Sequence, residues 1–218
     1  MQQSPESQWP LDPRVIFLNH GSYGSCPYPV QNAQDQLREQ MEARPVEFLG
    51  RHLEELLDQA RFDLSSFINC PNEDLAFVPN ATYGVNSILR SMDFQPGDEI
   101  LVTDHEYNAC LNVVDFVARR AQVKVVVAKL PFPLQAPEEI TQAVLSKVTK
   151  RTRVALLDYV TSPTGLVLPL ADLIPQLREL GVRTLVDGAH APGMLDLNLK
   201  ELDADYFTGN CHKWVNAP

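Results

Sequence analysis

The chain has 218 residues, 44% of them hydrophobic, and a formal net charge of −10. That apolar fraction can build a real core, which argues against a disordered chain. An acidic chain with no Lys/Arg cluster does not suit nucleic acid or an anionic membrane, and no apolar run approaches the roughly 18 residues of a membrane span.

Residues 15–18 form a short apolar run, followed by Asn19, His20, Gly21, Ser22, Tyr23 and Gly24. A glycine-rich loop after a strand invites comparison with nucleotide sites. GxGxxG and GxxxxGK[ST] are both absent, which disfavours a nucleotide-dependent oxidoreductase. Two helices are predicted next, over 30–44 and over 45–68, with Pro45 suited to a first helical turn. The second carries Phe48, Leu49, Leu53, Leu56, Leu57, Leu64 and Phe67 at helical spacing, more apolar surface than one packed face needs.

Residues 75–78 read as a strand, after which Asn80, Ala81 and Thr82 open a helix through 92. Backbone N–H groups at a helix start, with a Thr hydroxyl beside them, can cradle a phosphate; the same residues also read as a plain N-cap. A turn at 95–98 leads to a strand over 99–103, then Asp104, His105, Glu106, Tyr107 and Asn108 open a helix to 120. Three adjacent acid and His residues rarely converge on one ion, so no metal site is expected. A strand over 123–128, a Pro-rich loop, a helix over 137–150 and a strand over 153–160 follow. Thr161, Ser162, Pro163, Thr164 and Gly165 then make a turn, and a helix over 171–180 ends with Gly181 as its cap. The apolar run 184–186 ends in Asp187, with His190 just beyond it. A last short run, 205–208, precedes Asn210, Cys211, His212, Lys213 and Trp214.

Strands alternating with helices of about ten residues predict βαβ units and an α/β fold with a mostly parallel sheet. The polar groups fall after strand ends, where such sheets bind ligands. Cys26, Cys70, Cys110 and Cys211 form no CxxC pair and fit neither a disulfide framework nor a zinc site. Residues 1–13 lack the basic start and apolar stretch of a signal peptide. The expected setting is cytoplasmic, with free thiols.

An acid and a lysine in such a frame suit pyridoxal 5′-phosphate (PLP). Its aldehyde forms a Schiff base with a lysine amine, and a carboxylate keeps its ring nitrogen protonated. Taken singly, Asp187 also reads as a turn or cap and Lys213 as a solvated surface group.

DGAHA around Asp187 and NCHKW around Lys213 resemble the acid and lysine motifs of the class V aminotransferase family, in its cysteine desulfurase-like group and its isopenicillin N epimerase-like branch. LNHGSYG resembles that family's N-terminal segment, so the resemblance runs from Asn19 to Trp214. It implies the large domain of the type I PLP-dependent transferase fold with flanking helices. It also implies an enzyme acting on a small amino acid through Cα proton removal, by epimerisation, C–S lysis or desulfuration, or transamination. Lys213, Asp187 and His190 would be catalytic. Asn80, Ala81, Thr82, Asn210 and His212 would hold the phosphate, Ser162 would reach the phenolic oxygen or the substrate, and His190 would bond the phenolic oxygen or Asp187. Tyr107 falls at the ring-stacking position, where desulfurases carry histidine; His105 competes for that role. Asn19, His20 and Gly21 would face the substrate. The resemblance divides the chain into a substrate-facing segment, 1–29, and an incomplete PLP-binding large domain, 30–218. Family members continue into a small domain that carries the carboxylate-binding arginine and, in desulfurases, the reactive cysteine. The expectation is therefore a truncated chain whose intact form is a homodimer. The alternative is an inactive remnant or subunit.

Overall fold

A computed structural model describes residues 8–218. The opening of the 1–29 segment, and with it part of the stretch searched for a signal peptide, lies outside the described residues.

Five strands form one sheet among the described residues: β1 (Glu99–Thr103), β2 (Lys124–Ala128), β3 (Thr152–Asp158), β4 (Arg183–Gly188) and β5 (Tyr206–Gly209). They lie in the order β2-β1-β3-β4-β5, and every pairing is parallel. The helices are α1 (Tyr28–Ala43), α2 (Pro45–Glu47), α3 (Leu53–Ile68), α4 (Ala81–Ser91), α5 (Asn108–Ala121), α6 (Pro137–Leu145), α7 (Leu170–Glu179) and α8 (Leu199–Leu202). None is long and apolar enough to cross a membrane.

The chain divides into two compact units. One holds the described residues up to Phe77, with Pro192–Leu197 and Asn210–Pro218; the other holds Val78–Ala191 and Asn198–Gly209. The second unit carries the sheet. Its central strands β1, β3 and β4 are buried on both faces because alternate side chains point to opposite sides. Ile100, Leu156 and Leu185 join Val85 and Leu89 of α4 and Val114 and Val117 of α5 in one core. Their chain neighbours Leu101, Leu157 and Val186 join Ile140 of α6 and Leu173 of α7 in the other. A covered parallel sheet of this kind leaves its strand ends as the place where polar groups collect.

The first unit is helical. α2 runs into a π-helical turn, Phe48–His52, which continues into α3. The predicted helix over 45–68 is thus interrupted, because one turn closes five residues apart rather than four. α3 ends at Asn69, whose left-handed backbone (φ 48°) caps it.

Three sequence expectations shift. No strand forms over 75–78. Leu75 is extended, but residues 75–78 pair with no described strand, Phe77 is 48% exposed, and Pro79 offers no N–H to a ladder. The predicted helix over 137–150 stops at Leu145. Lys147 and Val148 donate instead to the carbonyls of Val144 and Leu145, the tighter spacing of a turn. β3 stops at Asp158, and Val160 bridges antiparallel to Val167.

Candidate active site

In the second unit the chain leaves β1 for the edge strand β2 and returns across β1 to β3. Such a reversal of strand order opens a crevice at the carboxyl ends of the two strands involved. Glu106 follows β1, Asp158 ends β3, and Asp187 lies opposite Asp158 in the β3–β4 register.

Asp187 is 2% exposed. Its Oδ1 accepts from the Ala189 N–H at 2.9 Å and its Oδ2 from the Cys110 thiol at 3.1 Å. Cys110 lies in the first turn of α5 and is fully buried. Burial, reinforced by the Asp187 charge, pushes its thiol up, so it remains a protonated donor. Glu106 is also buried. Its Oε1 accepts from the Tyr107 N–H at 3.1 Å, while Oε2 has no hydrogen-bond partner among the described residues. Burial first, then the charges of Asp158 and Asp187, push the Glu106 carboxyl well above the usual carboxylate range. Ligand atoms of Glu106, Cys110 and Asp187 all lie within 4.8 Å of one another.

Asn80 precedes α4 with an extended backbone, and its Oδ1 accepts from the Tyr83 N–H at 2.9 Å. The cap reading of Asn80 therefore holds. Capping fixes one N–H, while the helix start stays electropositive toward an anion. α4 sits directly on β5. A Cβ placed at Gly84 would lie 2.2 Å from Thr208 Oγ1, the same atom that donates to the Ala81 carbonyl at 3.3 Å. Gly84→Ala should therefore destabilise the fold by about 1–3 kcal/mol, the usual range for overpacking. Urea unfolding measures this, and Thr208→Ala in the same chain should return part of the loss. An additive double variant would show that the two residues do not share the strain.

Tyr107 is 44% exposed and has an extended backbone just ahead of α5. The His105 ring is engaged elsewhere: its Nδ1 lies 2.9 Å from Thr164 Oγ1, and its centroid lies 5.9 Å from that of Phe132. Ser162 is exposed in the turn after β3, and His190 is half-buried just past β4.

The remaining predicted site residues belong to the first unit. There the Asn19–Gly24 loop packs on the segment that holds His212 and Lys213. A Cβ at Gly24 would stand 2.5 Å from the His212 carbonyl oxygen and 3.1 Å from that of Lys213, so only glycine allows this approach. Within the loop Ser22 donates to Asn19 Oδ1 at 3.2 Å and Ser25 to His20 Nδ1 at 3.3 Å. The His20 ring lies 6.4 Å from the Trp214 ring, while Gly21 and Asn210 are buried.

The structure thus joins Asn19, His20 and Gly21 with His212 and Lys213 in one unit. It places Asn80, Ala81, Thr82, Tyr107, Ser162, Asp187 and His190 on the other. Sequence reading passed over Glu106, Cys110 and Asp158 as site residues. The available signals were an acid at the end of two neighbouring apolar strands and a cysteine one helical turn beyond Glu106.

Residues 20–218 match the family model for class-V aminotransferases. The chain belongs to the class-V aminotransferase family. It is 41% identical to isopenicillin N epimerase of Amycolatopsis lactamdurans over 211 residues, covering 95% of this chain and 53% of that protein. It is 39% identical to isopenicillin N epimerase of Streptomyces clavuligerus over 208 residues, covering 95% and 52%. The chain thus spans about half the length of these relatives. Among solved structures it is similar to C-DES. A C-DES mutant with glycine covalently linked to its PLP cofactor superposes with a TM-score of 0.90 at 26% identity, covering 99% of this chain and 57% of that one. The cystine C–S lyase C-DES with its product cysteine persulfide gives 0.88 at 28%, covering 93% and 54%. The fold is therefore that of the type I PLP-dependent enzymes, and family and neighbours imply PLP as cofactor. The residues fit that group. A buried carboxylate held by an N–H and a thiol suits a protonated ring nitrogen, and the start of α4 suits a phosphate.

Proposed function

We propose that this chain carries the cofactor-binding half of a PLP-dependent enzyme that removes the Cα proton of a small amino acid. The observation that carries the reading is Asp187, buried at the end of β4 with both carboxylate oxygens engaged by neutral donors. Family membership gives that geometry its meaning. Bound PLP supplies an electron sink for the charge left at Cα.

The residues divide the remaining work. Lys213 would hold the cofactor covalently, and its Nζ, freed when the substrate's own amine displaces it, would take the Cα proton. Asp187 holds the proton on the ring nitrogen. The N–H groups of Ala81 and Thr82, with Asn80, Asn210 and His212, bind the phosphate. Tyr107 stacks on the ring, a role favoured over His105 because the His105 ring is already held by Thr164. Ser162 and His190 serve the phenolic oxygen, and Asn19, His20 and Gly21 face the substrate. Domain roles follow the same division: a substrate-facing segment, 1–29, and a PLP-binding large domain, 30–218. Epimerisation, C–S lysis and transamination share these early steps. The identity to two isopenicillin N epimerases favours epimerisation. A cytoplasmic setting is supported by four cysteines that are all free.

The test has two parts. The chain is loaded with PLP, desalted, and its cofactor released by alkali and quantified; about one equivalent per chain is expected. Amino acids are then incubated with it in deuterium oxide, and exchange at Cα is followed by NMR. A chain that retains no cofactor refutes the proposal.

A homodimer is part of the same proposal. Val46, Leu49, Phe62 and Phe67 are 87%, 52%, 57% and 55% exposed along the α2–α3 region. Apolar groups left open on one helical stretch of an acidic chain favour self-association. Sedimentation velocity should show species larger than the 24.4 kDa chain. A monodisperse monomer at that mass would overturn the dimer.

A further inference from the structure

Asp187 does not meet the sheet end alone. Three other groups converge beneath it: Cys110 from α5, Glu106 from the connection after β1, and Asp158 from β3. Four acid or thiol groups in one buried place cannot all be anions. In a low-dielectric interior, like charges a few ångströms apart force protons onto the weaker acids. The hydrogen bonds indicate where those protons sit. Cys110 keeps its own and donates it to Asp187 Oδ2 at 3.1 Å. Glu106 accepts at Oε1 from the Tyr107 N–H, which leaves the buried Oε2 as the oxygen able to carry a proton. Two neutral groups thus back the Asp187 carboxylate.

We propose that Cys110 and Glu106 are positioning residues for Asp187: neutral groups that fix its carboxylate and set its proton affinity from behind. The inference rests on the reading of Asp187 as partner of the cofactor's ring nitrogen, and it deepens that reading. Cys110 lowers the basicity of Asp187 by donating to it. Glu106, being uncharged, adds no second negative charge beside it. The titratable groups facing Glu106 are Asp158, Asp187 and Cys110, and its ionisation would raise the proton affinity of Asp187.

Two readouts test this, one of which needs no cofactor. In the cofactor-free chain, the Asp187 carboxyl carbon is titrated by 13C NMR. Cys110→Ser, which keeps a donor, should leave the Asp187 midpoint in place. Cys110→Val, which removes it, should raise the midpoint by about one pH unit. Glu106→Gln should leave the midpoint unmoved, since one neutral group replaces another. A fall of a unit or more in Glu106→Gln would show that Glu106 is an anion, and that outcome overturns the proposal. So would an unmoved midpoint in Cys110→Val.

The second readout is the ring nitrogen of 15N-labelled PLP bound to the holoprotein. Cys110→Val should move the pH at which its resonance changes, whereas Cys110→Ser and Glu106→Gln should not. Asp187→Asn serves as the control. If it leaves the ring-nitrogen resonance unchanged, the reading of Asp187 fails, and the inference built on it fails too. If the control responds and Cys110→Val does not, the positioning role alone fails. A buried group of merely structural importance would lower the unfolding temperature without moving either titration.

Discussion

Lys213→Ala should yield a chain that loses PLP on desalting and from which borohydride fixes no pyridoxyl group. The sequence has six lysines, and the fold separates them. Lys124 begins β2, and Lys147 and Lys150 lie in the turn before β3, all at amino ends of strands. Lys200 is in α8. Lys129, just past the edge strand β2, and Lys213, after β5, are the two that follow carboxyl ends. Ligands of parallel sheets collect at that edge. Of these two, Lys213 is the one whose carbonyl lies against Gly24 of the N-terminal loop and whose flanking NCHKW resembles the family's lysine motif. Loss of the amine removes both the covalent anchor and the proton acceptor. A missing general base alone costs about 10²- to 10⁴-fold in rate. Borohydride reduction of the unmutated holoprotein followed by peptide mapping should place the pyridoxyl group on Lys213. A label on Lys129 or Lys200 would move the assignment.

The sheet was legible because most of its strands are built on apolar runs, over 100–102, 125–128, 154–157 and 185–186. Ile100, Leu101 and Val102 or Leu185 and Val186 have few other places to go than a strand covered on both sides. The one strand expected in error, over 75–78, shows the limit of that signal. Apolar content marks a segment able to pair but does not supply the partner, and Phe77 stays half exposed. The π-helical turn at Phe48–His52 was invisible for a related reason. One inserted residue shifts the helical period by less than the scatter of the pattern itself.

The site was legible in part for physical reasons too. Asp187, the α4 start and the Lys213 segment each sit in a local motif whose chemistry can be read from consecutive residues. The cluster behind Asp187 cannot. Cys110 comes 77 positions before Asp187 and touches it only because α5 returns across the sheet. A lone cysteine in an amphipathic helix reads as core, which it also is. Likewise Thr164 in a Pro-Gly turn carried no mark that it would hold His105 rather than leave that ring free to stack.

Asp187→Ala should leave the fold close to its original stability while removing most of the turnover. Two effects oppose each other in the fold. The substitution strips the Ala189 N–H and the Cys110 thiol of their acceptor, and orphaned buried donors cost about 1–3 kcal/mol each. It also removes one of the two charges that oppose ionisation of Glu106, which lowers the cost of keeping that carboxyl protonated. The pH dependence exposes the second effect. The Glu106 carboxyl is raised in the folded chain, so the folded state holds a proton that the unfolded state releases above the ordinary carboxylate value, 4.5. That stability is fully present below this value and is lost as pH rises through the folded one. With Asp187 gone, Glu106 is less raised, the window narrows, and urea unfolding followed as pH rises from 4.5 should show a smaller total loss of stability than in the unmutated chain. Catalysis has no such compensation. A preorganised charge at the ring nitrogen acts only where charge develops, and removing a contact of this kind costs on the order of 3–4 kcal/mol, or about 10²- to 10³-fold. Cα-deuterium exchange of a bound amino acid reads that step directly. Asp187→Asn, which keeps an acceptor oxygen for Ala189 without the charge, should be as slow as Asp187→Ala though better folded. Exchange at the unmutated rate in either variant would show that the carboxylate at the end of β4 is a structural acid and not the partner of the ring nitrogen.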